Sequence, residues 1–93
     1  MEKSFDLVAL ISTENPGGVE TILSELLGKN GVLKTENGFI VKTVVHGETA
    51  QQLNLGLISK LRVVDHHASL RSEWTYKNQT ESFVDYIRSN QSA

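Results

Sequence analysis

Cysteine is absent from this 93-residue chain, which excludes disulfides, thiolate nucleophiles and sulfur-ligated metals and fits a reducing interior. Proline occurs once, at Pro16, so a single point carries a fixed φ and lacks an amide donor. No apolar run approaches the roughly 18 residues of a membrane-spanning helix. The start also lacks the charged-then-apolar pattern of a secretion signal, so a cytoplasmic protein without membrane contact is expected. An excess of positive charge is missing too: 9 Lys and Arg against 11 Asp and Glu leave a net charge of −2. Domains that bind nucleic acid unaided are usually basic, because phosphate neutralisation supplies most of their affinity. A nucleic-acid role would therefore rest on a local patch or on a partner. The glycine patterns that cradle phosphates or dinucleotides are absent, as is Gly-x-Ser-x-Gly around any serine. There is no internal repeat, low-complexity segment or linker.

What is present is ordinary for a small globular unit: 39% apolar and 22% charged residues. The length corresponds to one domain over residues 1–93, with a short polar tail from about residue 90. A domain of this size buries roughly 60–65% of the surface its unfolded chain exposes, a thin but sufficient core.

Phe5 to Val45 organises the chain. Phe5-Asp6-Leu7-Val8-Ala9-Leu10-Ile11 has strand length and is apolar except for one Asp. Asn15-Pro16 is a helix start, with Asn15 as N-cap and Pro16 in the first turn. Val19, Ile22, Leu23, Leu26 and Leu27 then recur at helical spacing, and Gly28-Lys29-Asn30-Gly31 ends the helix. Gly17 and Gly18 make a tight strand-to-helix turn; an anion there would meet Glu20. Val32 to Glu36 and Phe39 to Val45 flank Asn37-Gly38, the pair best suited to a two-residue hairpin turn. Ala50, Leu53, Leu57 and Leu61 predict a second helix over Glu48 to Lys60, with Leu55 and Ile58 broadening its stripe. Ala68 to Tyr76 alternates as a fourth strand. A short helix is expected last, carrying Phe83, Val84 and Ile87, with Glu81 in its first turn.

The order β-α-β-β-α-β plus a terminal helix makes an α+β, ferredoxin-like sandwich the expected fold, with an antiparallel sheet of order 4-1-3-2. Both helices would cover the face carrying Phe5, Leu7, Ala9, Ile11 and Phe39. The opposite face still carries Val8, Leu10, Ile40 and Val44, where a solvated face would be mainly polar. A cover is expected for it, either the third helix or a second copy of the chain.

Three groups of residues invite chemistry. Asp65-His66-His67 resembles the Asp-His-His signature of a metal-dependent phosphoesterase family, which builds a two-metal site from several further Asp and His motifs. Here only His46 remains, and adjacent strand residues point to opposite faces, so a polar junction before the fourth strand is expected instead. Histidine titration near neutral pH is the other reading of this triplet. Trp74 and Tyr76 form a stacking platform on one reading and core on the other; their register with Leu70 favours core. Neither enzymatic activity nor a cofactor or metal is expected.

Phe5-Asp6-Leu7-Val8, the helix Val19 to Gly28, Asn37-Gly38-Phe39-Ile40-Val41-Lys42, the Leu53-Asn54-Leu55 to Arg62-Val63 segment and Thr80-Glu81-Ser82-Phe83 together resemble the THUMP domain. That family binds RNA within tRNA- and rRNA-modifying enzymes and in small accessory proteins. The resemblance implies RNA, or a partner carrying a second RNA-binding or catalytic domain. A second resemblance rests on Pro16-Gly17-Gly18-Val19 and on Leu57-Ile58-Ser59-Lys60-Leu61 through Leu70. These look like the effector domains of leucine-responsive regulators and the ACT domains, which pair through their sheets and take ligands between protomers. On the RNA reading, Lys42, Lys60, Arg62 and Arg71 are expected to form one positive margin. On the effector reading, a homodimer through the open sheet face is expected.

Overall fold

The computed structural model describes residues 2–28, 30–85 and 87–88. The elements in order are β1 (Lys3–Ser12), α1 (Pro16–Leu27), β2 (Val32–Lys34), β3 (Gly38–Gly47), α2 (Ala50–Val64), β4 (Ser69–Tyr76), β5 (Gln79–Val84) and β6 (Ile87–Arg88). All strand pairs are antiparallel, and the sheet order is β2-β3-β1-β4-β5-β6. Among the described residues no helix is long and apolar enough to cross a membrane.

β1 lies in the middle, pairing with β3 from Lys3↔Gly47 to Ser12↔Gly38 and with β4 from Asp6↔Thr75 to Ser12↔Ser69. Its strict alternation places Phe5, Leu7, Ala9 and Ile11 on one face, all buried, and Ser4, Asp6, Val8, Leu10 and Ser12 on the other, all exposed. Both helices pack on the buried face, contributing Val19 and Leu23 from α1 and Ala50, Leu57, Ile58 and Leu61 from α2. Leu55, expected on the buried stripe, is about half exposed; its place is taken by Asn54, four residues from both Ala50 and Ile58. α1 starts as its sequence implies: the Asn15 side chain accepts a bond from the Gly18 amide, and Gly28 caps the end through the Ser24 carbonyl. α2 begins at the Thr49 cap rather than at Glu48 and runs one turn past Lys60 to Val64. Ile58, Leu61 and half-buried Val64 continue its packed face, which outweighs the low helix propensity of Val63-Val64.

Two expectations are corrected. The sheet is not the four-stranded 4-1-3-2 set with a third helix above it. The adjacencies β4-β1, β1-β3 and β3-β2 are present, but β4 is not an edge, because β5 pairs along it and β6 along β5. The segment expected as a third helix is strand. Lys77 and Asn78 have φ of 49° and 67°, the positive pair a two-residue hairpin turn of type I′ requires, so Tyr76 meets Gln79 directly. A row of unpaired amides and carbonyls on β4 outweighs the helical spacing of Phe83, Val84 and Ile87. The polar tail and Lys29 lie outside the described residues.

The turn between β2 and β3 also sits elsewhere. Thr35, Glu36 and Asn37 form the loop, closed by the Thr35 amide on the Gly38 carbonyl at 2.8 Å. Gly38 already belongs to β3, and it is needed for close approach rather than for turn geometry. A Cβ there would lie 1.7 Å from the Ile11 carbonyl oxygen. Gly31 combines both needs: its φ is 85°, and a Cβ would stand 2.2 Å from the Lys42 carbonyl oxygen.

The ends of β4, β5 and α2 meet at Asp85, whose φ of 55° begins the reversal toward β6. Its amide donates to the Leu70 carbonyl, its carboxylate accepts from the Leu70 amide at 2.8 Å, and its carbonyl accepts from Asn54 Nδ2 at 2.8 Å. Asn54 Oδ1 in turn accepts from the Ser72 hydroxyl, and Ser72 Oγ accepts from Trp74 Nε1 at 3.0 Å. This chain of bonds satisfies three buried polar side chains under the helices.

Opposite effects follow for two glycines. Gly38→Ala should destabilise by about 1–3 kcal/mol or more through forced separation of β1 and β3. Gly56→Ala, in α2 where an added methyl meets no atom within 4 Å, should stabilise by about 0.5–1 kcal/mol. Urea denaturation of the two variants against wild type measures both signs.

Candidate functional site

The sheet face away from the helices is the main uncommitted surface. The register sorts it into rows that cross the strands. Leu33, Ile40, Leu10, Arg71 and Val84 follow one another from β2 to β5; the next row holds Lys42, Val8, Glu73 and Ser82; the third holds Val44, Asp6, Thr75 and Thr80. Six large apolar side chains stand exposed here, from Ile40 at 36% to Leu33 at 68%, with Leu10 and Val44 about half exposed. No described segment of the chain covers them: the residues expected to begin a covering helix form β5, and among the described residues the face is open. Scattered surface leucines are common, but here Leu33, Ile40 and Leu10 adjoin across three strands, and Arg71 separates them from Val84.

A shallow depression of about 360 Å³ lies on this face over β4, with Val8, Leu10, Arg71, Glu73, Ser82 and Val84 around it. Ser82, a small side chain buried among longer neighbours, is part of its lining. The charges on the face are Lys42 and Arg71 against Asp6 and Glu73, two of each sign.

The four basic residues expected to act together are divided between the two sides of the sheet. Lys42 and Arg71 lie on the open face, on β3 and β4 with β1 between them. Lys60 and Arg62 are on α2, against the opposite face. Arg62 is half-buried and engaged: Nε donates to the Ala68 carbonyl at 2.6 Å, and Nη2 stands 3.5 Å from Asp85 Oδ1. It ties the end of α2 to the β4–β5 unit. A single positive margin of these four is therefore not formed, because the helix layer and the sheet lie between its halves.

Trp74 is 1% exposed and Tyr76 half-buried, on the core side with Phe5 between them, so the pair is core and not a platform for bases. The open face carries no aromatic side chain in the rows above, and stacking of bases there has no partner.

Asp65-His66-His67 is a structural junction. Asp65 caps α2, with its amide on the Leu61 carbonyl, and its carboxylate gathers three donors: the Thr13 hydroxyl at 2.5 Å, the Glu14 amide and the His67 amide, both at 2.9 Å. Asn15 Nδ2 adds a bond to the Val64 carbonyl at 3.0 Å. These contacts fasten the loop before α1 to the end of α2. His66 and His67 are exposed, and among the described residues no group of three His, Asp or Glu side chains is placed to hold a metal ion. Ser4 Oγ and His46 Nδ1 meet at 2.9 Å across β1 and β3 at the end of the open face. No carboxylate among the described residues is hydrogen-bonded to His46 to orient it as a base.

No family model matches the chain, and no curated protein or solved structure gives a significant match.

The Asp65 carboxyl is held at about 2, below its ordinary 3.8, chiefly by the Thr13 hydroxyl and then by the Glu14 and His67 amides. A carboxylate with a lower pKa in the folded state contributes its full stabilisation above the unfolded value and loses it as pH falls through the folded value. Asp65→Asn, with one acceptor in place of two carboxylate oxygens, should lower the melting temperature at pH 7. The gap to wild type should narrow below about pH 4 and close near pH 2. Thermal melts of both proteins across that range measure it. Dialysis against a chelator should leave the wild-type melting temperature unchanged.

Proposed function

We propose that this chain is a small non-enzymatic binding module of the regulatory, effector-domain kind, working in the cytoplasm, and that its working surface is the open face of the sheet. The observation that carries this reading is the uncovered apolar run Leu33–Ile40–Leu10, continued past Arg71 by Val84 and flanked by Val8, Val44 and charges of both signs. An apolar surface of this kind gains by leaving water against another apolar surface. It has little to offer a phosphate backbone, whose recognition needs converging cations. The THUMP-like, RNA-binding reading retains Lys42 and Arg71, which share the face but are interleaved with Asp6 and Glu73.

Two measurements test the proposal. At concentrations low enough to keep the chain monomeric, Leu10→Lys should leave it folded, within about 0.5 kcal/mol of wild type in urea denaturation, because Leu10 faces solvent in the single chain. A loss of several kcal/mol would mean that the face is already covered within the chain, and the proposal would fall. Fluorescence anisotropy of labelled tRNA should show no binding that responds to Lys42→Gln/Arg71→Gln. Binding by wild type with a slope of roughly −1.5 in log affinity against log salt, abolished in that double variant, would move the function to RNA.

A further inference from the structure

The open face is self-complementary, and we infer that its occupant is a second copy of this chain, stacked face to face about a two-fold axis running along β1. The inference rests on the reading of the open face as a docking surface and adds what docks there. Aligned sheets pack about 10 Å apart with their strands within about 30° of each other, so two such faces meet row against row. An axis along β1 carries β3 of one copy onto β4 of the other and β2 onto β5, because those strands flank β1 on either side. Each row then meets itself in reverse order.

In the row Lys42–Val8–Glu73, reversal brings Lys42 onto Glu73 of the second copy, twice by symmetry, with Val8 on Val8 between the pairs. Neither the Lys42 nor the Glu73 side chain has a hydrogen bond or ion pair within the described chain, so both are free to make these contacts. In the row Leu33–Ile40–Leu10–Arg71–Val84, reversal lays Leu33 on Val84, Leu10 on Leu10, and the aliphatic stem of Arg71 along Ile40. The most exposed apolar side chain of the face thus finds an apolar partner. The same reversal sets Asp6 opposite its counterpart, one like-charge contact against the two Lys42–Glu73 pairs.

The other in-plane two-fold, running across the strands, is less favourable. Centred on either charged row, it sets Lys42 on Lys42 or Arg71 on Arg71. Centred between the rows, it matches Glu73 with Arg71 but places Leu33 opposite Gly31, leaving that leucine without an apolar partner. The apolar partners it gives Leu33 and Val84, which the other axis sets on Gly31 and Ser82, select the axis along β1.

Charge exchange tests this geometry with the intact chain. Sedimentation velocity and native mass spectrometry should show wild type as a dimer. Lys42→Glu and Glu73→Lys should each weaken it by at least about tenfold, since each places two like-charge pairs in the interface. Both positions are exposed, and circular dichroism should show both variants folded. Mixing the two variants should restore dimers, and these should be heterodimers, because only the mixed pair has both contacts opposite in charge. The double variant Lys42→Glu/Glu73→Lys should also be a dimer. Restoration instead by mixing Glu73→Lys with Arg71→Glu would replace the proposed axis by the one across the strands. A monomeric wild type, or two weakened variants that stay monomeric in every mixture, would overturn the second copy as occupant. That result would leave the open-face reading intact, since that reading is tested separately by Leu10→Lys in the single chain and by the tRNA titration.

Discussion

Everything in this molecule depends on the alternation of β1. Paired along both edges, it commits each residue to one of two environments, and its neighbours β3 and β4 inherit the same division through the register. A slip of one residue would exchange Phe5, Leu7, Ala9 and Ile11 for Asp6, Val8, Leu10 and Ser12 and leave the helices without a core. Gly38 enforces the register from one side. It brings β3 against the Ile11 carbonyl at a separation that no other residue tolerates.

The second determinant is polar. Asn54, Ser72, Trp74 and Asp85 form a connected chain from α2 through β4 to the end of β5, and Arg62 adds a charge-assisted contact to Asp85. Satisfying buried donors and acceptors in this way costs little once all are paired, and it specifies how the β5 strand sits against the helix layer. Asp65 acts comparably at the surface by joining the loop before α1 to the end of α2. The carboxylate of the triplet that looks most like catalytic machinery is thus occupied in holding elements together. What remains uncommitted among the described residues is the open face, where apolar side chains and charges of both signs lie side by side.

Much of this was legible in order along the chain. The apolar periods located β1, α1, β3, α2 and β4, the Asn15-Pro16 start of α1 had an unambiguous local cause, and the core assignment of Trp74 followed from its register with Leu70. The face bearing Val8, Leu10, Ile40 and Val44 was visible as an apolar surplus. Less could be read where local and long-range preferences compete. Thr80 to Ile87 has apolar spacing that suits a helix, and Lys77-Asn78 lacks the glycine that advertises a tight hairpin. The candidate basic margin failed for a related reason: Lys42, Lys60, Arg62 and Arg71 are near one another in pattern, but α2 and the sheet put them on opposite sides.

The amino-acid sequence by itself determined the elements whose side-chain period matches their environment, the division of the central strands into two faces, and the caps that act within a few residues. Tertiary structure alone decided that the last segment is strand, since the open edge of β4 supplies hydrogen-bond partners that no local pattern encodes. It also decided that Asn54 and Asp85 belong to the core network and that Asp65 is a clasp, because their partners lie between 15 and 52 residues away. Local propensity is a property of neighbours in the chain. The pairing of an edge, the satisfaction of a buried amide and the side on which a charge emerges are properties of neighbours in space.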